Sequence, residues 1–186
     1  TRAKINSPIR KILDQCELSK DEFYNLKLFC KDIKIDFAST AFCEESAELL
    51  NEIGCDIFKI ASFHLSNSDL IEKVIKYKSC KRIIISTGVS SSAQILHINN
   101  LYDSIKIKDK PEIAFLHCIS EYPISSSKNL NLINIPFIKQ ISQKEVGYSD
   151  HSIGPEAPSI AVALGASIIE KHFTIDQNLP GADHSM

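Results

Sequence analysis

The chain has 186 residues, 44% of them hydrophobic, with 21 basic and 23 acidic side chains and a formal net charge of -2. That length and apolar content suit one folded domain with a sizeable core and argue against a disordered or fibrous chain. The near-balance of charge lacks the basic excess that a nucleic-acid partner requires, and no apolar run reaches the roughly 18 residues that cross a bilayer, so a membrane is excluded as well.

Even the run from Ala157 to Ile169 is interrupted by Ser159, Gly165 and Ser167, and no signal peptide is recognisable. The six cysteines (Cys16, Cys30, Cys43, Cys55, Cys80 and Cys118) form no CxxC and no paired spacing. Reduced, mostly buried thiols in a cytoplasmic protein are therefore expected. The chain opens on Thr1 and stops at Met186 after a polar cluster, which leads us to expect a fragment of a longer protein.

In chain order, Ser19 and Glu22 have capping-box spacing and open a helix carrying Phe23, Leu26, Leu28 and Cys30. An apolar run from Lys34 to Thr40 predicts a strand, and Glu44 to Ile53 a helix that stops at Gly54. Asp56 to Ser62 predicts the next strand, followed by a helix marked by Leu70, Ile71, Val74 and Ile75. Strands are then predicted at Arg82 to Thr87, Glu112 to Cys118, Glu145 to Ser149 and Ser167 to Phe173. The helices between them fall near Ser91 to Leu101, Leu130 to Ile141 and Pro155 to Leu164, the last with proline in its first turn. Nearly continuous apolar strands separated by amphipathic helices describe a parallel sheet buried on both faces.

Strict β-α alternation leaves an open doubly wound sheet or a closed (β/α)8 barrel. No GxGxxG follows any strand, and strand after strand ends in reactive side chains, including Lys59 with Ser62, Ser86, His117, Ser149 with His151, and His172. A barrel collects those ends at one mouth, so we expect a TIM barrel of which strands 3 to 8 are present and the first two are missing. On this reading residues 1–186 form one partial barrel domain.

Three constellations carry chemistry. His151 and His172, at the ends of the last two strands, can ligate a divalent metal as neutral imidazoles, or can serve as ordinary hydrogen-bonded residues. Lys59, inside the apolar run Ile57-Phe58-Lys59-Ile60, needs an anion, because an unpaired buried ammonium costs several kcal/mol. A substrate phosphate or carboxylate, with Ser62, Ser86 and Ser149 completing the shell, and a nearby Asp or Glu are equally open. Ser120-Glu121-Tyr122-Pro123 and the stretch from Asn178 to His184 supply Tyr122 and Asp183 as candidates for sugar hydroxyls, while His64 at the mouth is a candidate acid or base. Asp150 is read either as orienting a ligand or as a cap, and His97 as a surface residue.

Eight motifs in register resemble the N-acetylneuraminate synthase family, which includes legionaminate and pseudaminate synthases. They are Phe37 to Phe42, Phe58 to Ser62, Ser86 to Gly88, Leu116 to Cys118, Glu121 to Pro123, Gly147 to His151, Glu170 to Thr174 and Pro180 to His184. The resemblance implies a TIM barrel that condenses phosphoenolpyruvate with an open-chain N-acetylated aminohexose, giving a nine-carbon 2-keto sugar acid and phosphate. It implies that His151 and His172 hold Mn2+ or Mg2+, and that Lys59, Ser62, Ser86 and Ser149 bind phosphoenolpyruvate. Tyr122 and Asp183, with Ser120 beside them, fall near the amino sugar.

The full-length protein is expected to be a homodimer with a C-terminal antifreeze-like domain that this chain lacks. One position departs from the pattern: where the family carries Glu, this chain has His64 after Phe63. An imidazole exchanges protons near neutral pH but lacks a fixed negative charge. A catalytically silent relative that binds phosphoenolpyruvate or metal is therefore the alternative, and the isolated fragment is expected to be weakly active or inactive.

Overall fold

The computed structural model describes residues 16–179 and 182–185. Among them, six strands, β1 (Ala38–Thr40), β2 (Ile57–Ile60), β3 (Arg82–Ser86), β4 (Glu112–Cys118), β5 (Glu145–Asp150) and β6 (Ile169–Lys171), form one sheet in the order β1-β2-β3-β4-β5-β6. Every neighbouring pair is parallel. Helix α1 (Lys20–Asp32) precedes β1, and α2 (Glu44–Glu52), α3 (Ser68–Ile75), α4 (Ser92–Ser104), α5 (Asn134–Ser142) and α6 (Glu156–Ala163) connect successive strands. A doubly wound sheet reverses its strand order at a switch point, whereas a barrel adds each strand beside the last. The order here never reverses.

Curvature settles the same question. Flat, a sheet would place β2 and β6 four strand spacings, roughly 19 Å, apart. Instead the side chains of Lys59 on β2 and Glu170 on β6 meet at 3.0 Å. The sheet curls into the wall of a partial (β/α)8 barrel, with these two residues on its concave face.

Alternation along each strand divides the residues between two faces. Phe58 and Ile60, Ile83 and Ile85, Ile113 and Phe115, and Val146 and Tyr148 face the helices and are buried among Leu50, Leu70, Val74, Ile98, Ile138 and Ala161. Each such apolar side chain contributes roughly 1.5–3 kcal/mol by leaving water. The intervening residues, Lys59, Ser86, Cys118, Ser149 and Glu170 among them, line the inside. Gly147 is required there, because a Cβ would meet Leu116 Cδ2 at 2.6 Å and the backbone of Ile168.

Local signals hold at most element ends. Ser19 and Glu22 close the expected capping box, with Ser19 N–H donating to Glu22 Oε2 at 2.7 Å. Gly54, at φ 72°, ends α2 with Cys55 N–H reaching back to the Leu50 carbonyl. Three boundaries differ. The strand expected from Lys34 begins only at Ala38, because Lys34 adopts φ 59° and closes α1 with the same motif, Ile35 N–H donating to the Cys30 carbonyl. Helix α5 starts at Asn134, after a 3-10 turn at Ser127–Asn129. Strand β6 spans Ile169–Lys171 alone, with β5 as its one described neighbour. Among the described residues no helix is long and apolar enough to cross a membrane.

Candidate active site

Register brings the reactive side chains together. Cys118, Ser149 and Glu170 stand side by side on β4, β5 and β6, and Ser86 on β3 lies beside Leu116. At the C-terminal end of these strands is a cavity of about 220 Å³ lined by Lys59, Ser62, Ser86, Cys118, Ser120, Tyr122, Ser149, His151 and Glu170, with Ala61, Phe63 and Val89 at its apolar side.

The floor is an ion pair flanked by hydroxyls. Glu170 Oε1 accepts from Lys59 Nζ at 3.0 Å and from Ser149 Oγ at 2.6 Å. Of the two partners expected for Lys59, the carboxylate is the one in contact, and it stands on the same cavity wall that an incoming anion would reach. Ser62 Oγ accepts from the Gly88 N–H at 2.9 Å and lies 3.1 Å from Cys118 Sγ. That approach requires glycine at 88, where a Cβ would lie 2.6 Å from Cys118 Sγ and 2.7 Å from Ser120 Oγ. Ser86 Oγ is buried with no hydrogen-bond partner among the described residues. A buried orphan hydroxyl at a cavity wall is a donor awaiting a ligand or a water.

His151 is buried, and its Nδ1 donates to the Ile119 carbonyl at 2.6 Å. A carbonyl only accepts, so Nδ1 carries the proton and Nε2 keeps its lone pair in the neutral ring. Burial pushes the His151 pKa down, with the neighbouring His172 adding to the effect against the opposing Ile119 carbonyl. His172 Nδ1 lies 3.7 Å from Asp183 Oδ1, and the two imidazole centroids are 5.6 Å apart at 68°.

This donor set fits a divalent ion. With each ligating nitrogen about 2 Å from the metal, rings at this spacing lie within reach of one shared ion. The carbonyl at His151 Nδ1 is the kind of oxygen partner that orients a metal-ligating histidine, while Asp183 stands near His172 Nδ1 beyond hydrogen-bond distance. Among the described residues no group of three or more His, Cys, Asp or Glu side chains is gathered, so the chain would offer two ligands and leave the other positions to water and substrate.

The remaining expected residues are distributed around this centre. Tyr122 packs on His151 with centroids 4.0 Å apart and planes tilted by 32°, and stands edge-on to His172. Its loop is fastened to the same histidine, Ile124 N–H donating to the His151 carbonyl at 2.9 Å. Ser120 is exposed on the cavity wall, and Asp183 is exposed beside His172 in the 3-10 turn Ala182–Ser185. His64 is not on the wall: half-buried, it packs 4.5 Å from the Phe63 ring and edge-on to Phe42. Asp150 points to the other face and accepts from Lys171 Nζ at 2.5 Å and from Ser152 N–H and Oγ at 2.9 and 2.6 Å, which makes it a turn cap. His97 is exposed, 3.1 Å from Ser68 Oγ. Pro180 and Gly181 of the last motif lie outside the described residues.

Glu170 was not singled out by sequence, although it stands two positions before His172 in the run expected to be a strand, where period-two alternation would have placed both on the same face. Of the strand-end pair His117-Cys118 expected at the mouth, Cys118 lines the cavity, while His117 turns to the helix side with its Nε2 2.8 Å from the Leu130 carbonyl.

Comparison with known proteins agrees with this geometry. The chain is 42% identical over 173 residues to an uncharacterized protein of Methanocaldococcus jannaschii, covering 91% of this chain and 49% of that protein. It is 39% identical to an N,N'-diacetyllegionaminic acid synthase of Campylobacter jejuni, covering 93% and 51%. The crystal structure of N-acetylneuraminic acid (sialic acid) synthetase from Leptospira borgpetersenii, in complex with citrate, superimposes with a TM-score of 0.86 at 36% identity, over 98% of this chain and 62% of that one. The chain thus spans about half the length of the curated relatives it matches. The model of the NeuB family matches residues 2–186, which establishes that the chain belongs to the NeuB family.

Proposed function

We propose that this chain carries the reacting centre of an enzyme that joins phosphoenolpyruvate to the aldehyde carbon of an open-chain N-acylated aminohexose. The products are a nine-carbon 2-keto sugar acid and phosphate. The observation that carries the reading is the meeting of Lys59, Ser62, Ser86, Ser149 and His151 around one cavity, an anion-suited floor beside a neutral imidazole. The Campylobacter and Leptospira relatives, named for making legionaminic and neuraminic acids, support a sugar acid as the product.

Lys59 exchanges the Glu170 carboxylate for an anionic group of phosphoenolpyruvate, and the hydroxyls of Ser62, Ser86 and Ser149 donate to it. Ser86 needs no partner displaced, since its Oγ has none among the described residues. A manganese or magnesium ion held by His151 and His172 would polarise the aldehyde oxygen as a Lewis acid. C3 of phosphoenolpyruvate attacks the aldehyde carbon, water adds at C2, and phosphate departs with the bridging oxygen. Glu170, on the cavity wall, is placed to take a proton from that water. Tyr122, Ser120 and Asp183 flank the side on which the amino sugar enters.

A second reading, a relative that binds phosphoenolpyruvate and metal without condensing anything, is favoured by one observation. His64, where the family carries Glu, packs against Phe42 and Phe63 and takes no part in the cavity wall. Product mass separates the two. Full-length protein incubated with phosphoenolpyruvate, metal and a panel of N-acylated aminohexoses should give a species equal to one acceptor plus one pyruvate. Substrate binding without any such species would favour the silent relative.

A further inference from the structure

Each of the two candidate metal ligands follows, in the chain, one half of an ion pair that the reaction above does not use. Asp150 precedes His151 and Lys171 precedes His172. Asp150 and Lys171 are also register partners, the last pair of the ladder between β5 and β6. Both histidines therefore stand one residue beyond that ladder, where strand pairing no longer sets the distance between the two segments.

Lys171 joins the segments there. Its Nζ donates to Asp150 Oδ2 at 2.5 Å and to the Ser152 carbonyl at 2.7 Å, so one ammonium grips the chain on both sides of His151. Asp150 Oδ1 accepts from Ser152 N–H and Oγ, which closes the turn around the same histidine. The Asp150 side chain is wholly buried and that of Lys171 is 31% exposed, so salt and water screen the pair little. Alternation puts both side chains on the helix side of the sheet, and neither lines the cavity.

We propose that Asp150 and Lys171 are positioning residues, an ion pair that holds the His151 and His172 rings at the separation one divalent ion needs. The inference rests on the reading of these histidines as metal ligands given above. Among the described residues no third His, Cys, Asp or Glu is gathered with them, so affinity depends on the placing of two rings whose centroids are 5.6 Å apart. The Ile119 carbonyl orients the His151 ring but does nothing to fix its distance from His172. A ligand set has to be held to within about 0.5 Å by the contacts behind it. The grip of Lys171 on Asp150 and Ser152 is the described side-chain contact that ties one ligand's segment to the other's.

The test titrates manganese into full-length protein and follows the electron paramagnetic resonance signal of the free ion, which requires no turnover. Lys171→Met and Asp150→Asn should each weaken manganese binding roughly 10- to 100-fold, the effect of losing a group that supports a metal ligand. The double variant should bind no more weakly than the weaker single one, because both changes remove one shared contact. Lys171→Arg, which keeps a cation facing the same two acceptors, should recover most of the affinity. Phosphoenolpyruvate binding without metal should change much less. If Asp150→Asn does not fold, Lys171→Met and Lys171→Arg decide the outcome. Manganese affinity that Lys171→Met leaves unmoved, while His151→Ala abolishes it, would overturn this inference alone. So would equal losses for manganese and phosphoenolpyruvate, or no recovery in Lys171→Arg, since either describes a pair that only stabilises the fold. Manganese binding that survives His151→Ala would overturn the metal reading with it.

Discussion

Lys59 on β2 and Glu170 on β6 meet at 3.0 Å across the inside of the curled sheet, and Ser149 donates to the same carboxylate oxygen at 2.6 Å. The contact spans the width of the barrel wall and ties the ammonium to the centre of the cavity. Lys59→Met removes the one lysine or arginine among the described residues of the cavity wall and should weaken phosphoenolpyruvate binding by roughly 10- to 100-fold, as expected for a charged hydrogen-bond donor. Amino-sugar affinity should change much less. Comparing the two KM values checks this, and equal losses would remove Lys59 from the anion site.

The orphan hydroxyl of Ser86 gives the opposite pattern. Ser86→Ala discards a buried polar group that has no internal partner, so thermal stability should hold or rise. Affinity for phosphoenolpyruvate should fall several-fold, about 1 kcal/mol for one neutral hydrogen bond. Thermal denaturation with and without ligand separates the effects: the variant should match the parent alone and gain less from added phosphoenolpyruvate.

The imidazole pair makes a stoichiometric claim. One divalent ion should bind per chain, and His151→Ala or His172→Ala should each abolish most of that binding, because neither ring has a third protein ligand gathered beside it among the described residues. Equilibrium dialysis against manganese measures it directly. Undiminished binding in either variant would mean that the ion sits elsewhere.

The buried thiols carry a pH signature. Burial pushes the Cys80 thiol up to about 12 from an ordinary value of 9.0. Its folded pKa is raised, so the protonated thiol's contribution to stability is complete below about pH 9 and is lost as pH rises toward about 12. Cys55 shifts in the same direction for the same reason. A thiol reagent at pH 8 should label the exposed Cys16 and Cys43 in the native protein and leave Cys80 unmodified until unfolding.

Much of this was legible in the sequence where chemistry is local. Ser19 with Glu22 fixed a helix start and Gly54 a helix end, because caps depend on a few adjacent residues. Lys34 hid the same C-terminal motif, since a lysine at positive φ carries no compositional mark. The convergence of Lys59, Ser149 and His151 followed from strand ends in a barrel. The pairing of Lys59 with Glu170 did not, because 111 residues separate them and only the curvature of the sheet brings them together. His64 was expected at the mouth, but its side chain turns toward Phe42 and Phe63, a choice of rotamer and turn that sequence spacing cannot express.

The reaction class itself is tested most directly with phosphoenolpyruvate labelled with 18O at the bridging oxygen, given to full-length protein with manganese and an acceptor. Attack through C3 followed by C–O cleavage predicts that the label leaves entirely in inorganic phosphate, while the product gains one pyruvate unit and an unlabelled oxygen at C2. Label retained at C2 of the product, or phosphate released without any acceptor-derived product, would contradict the account.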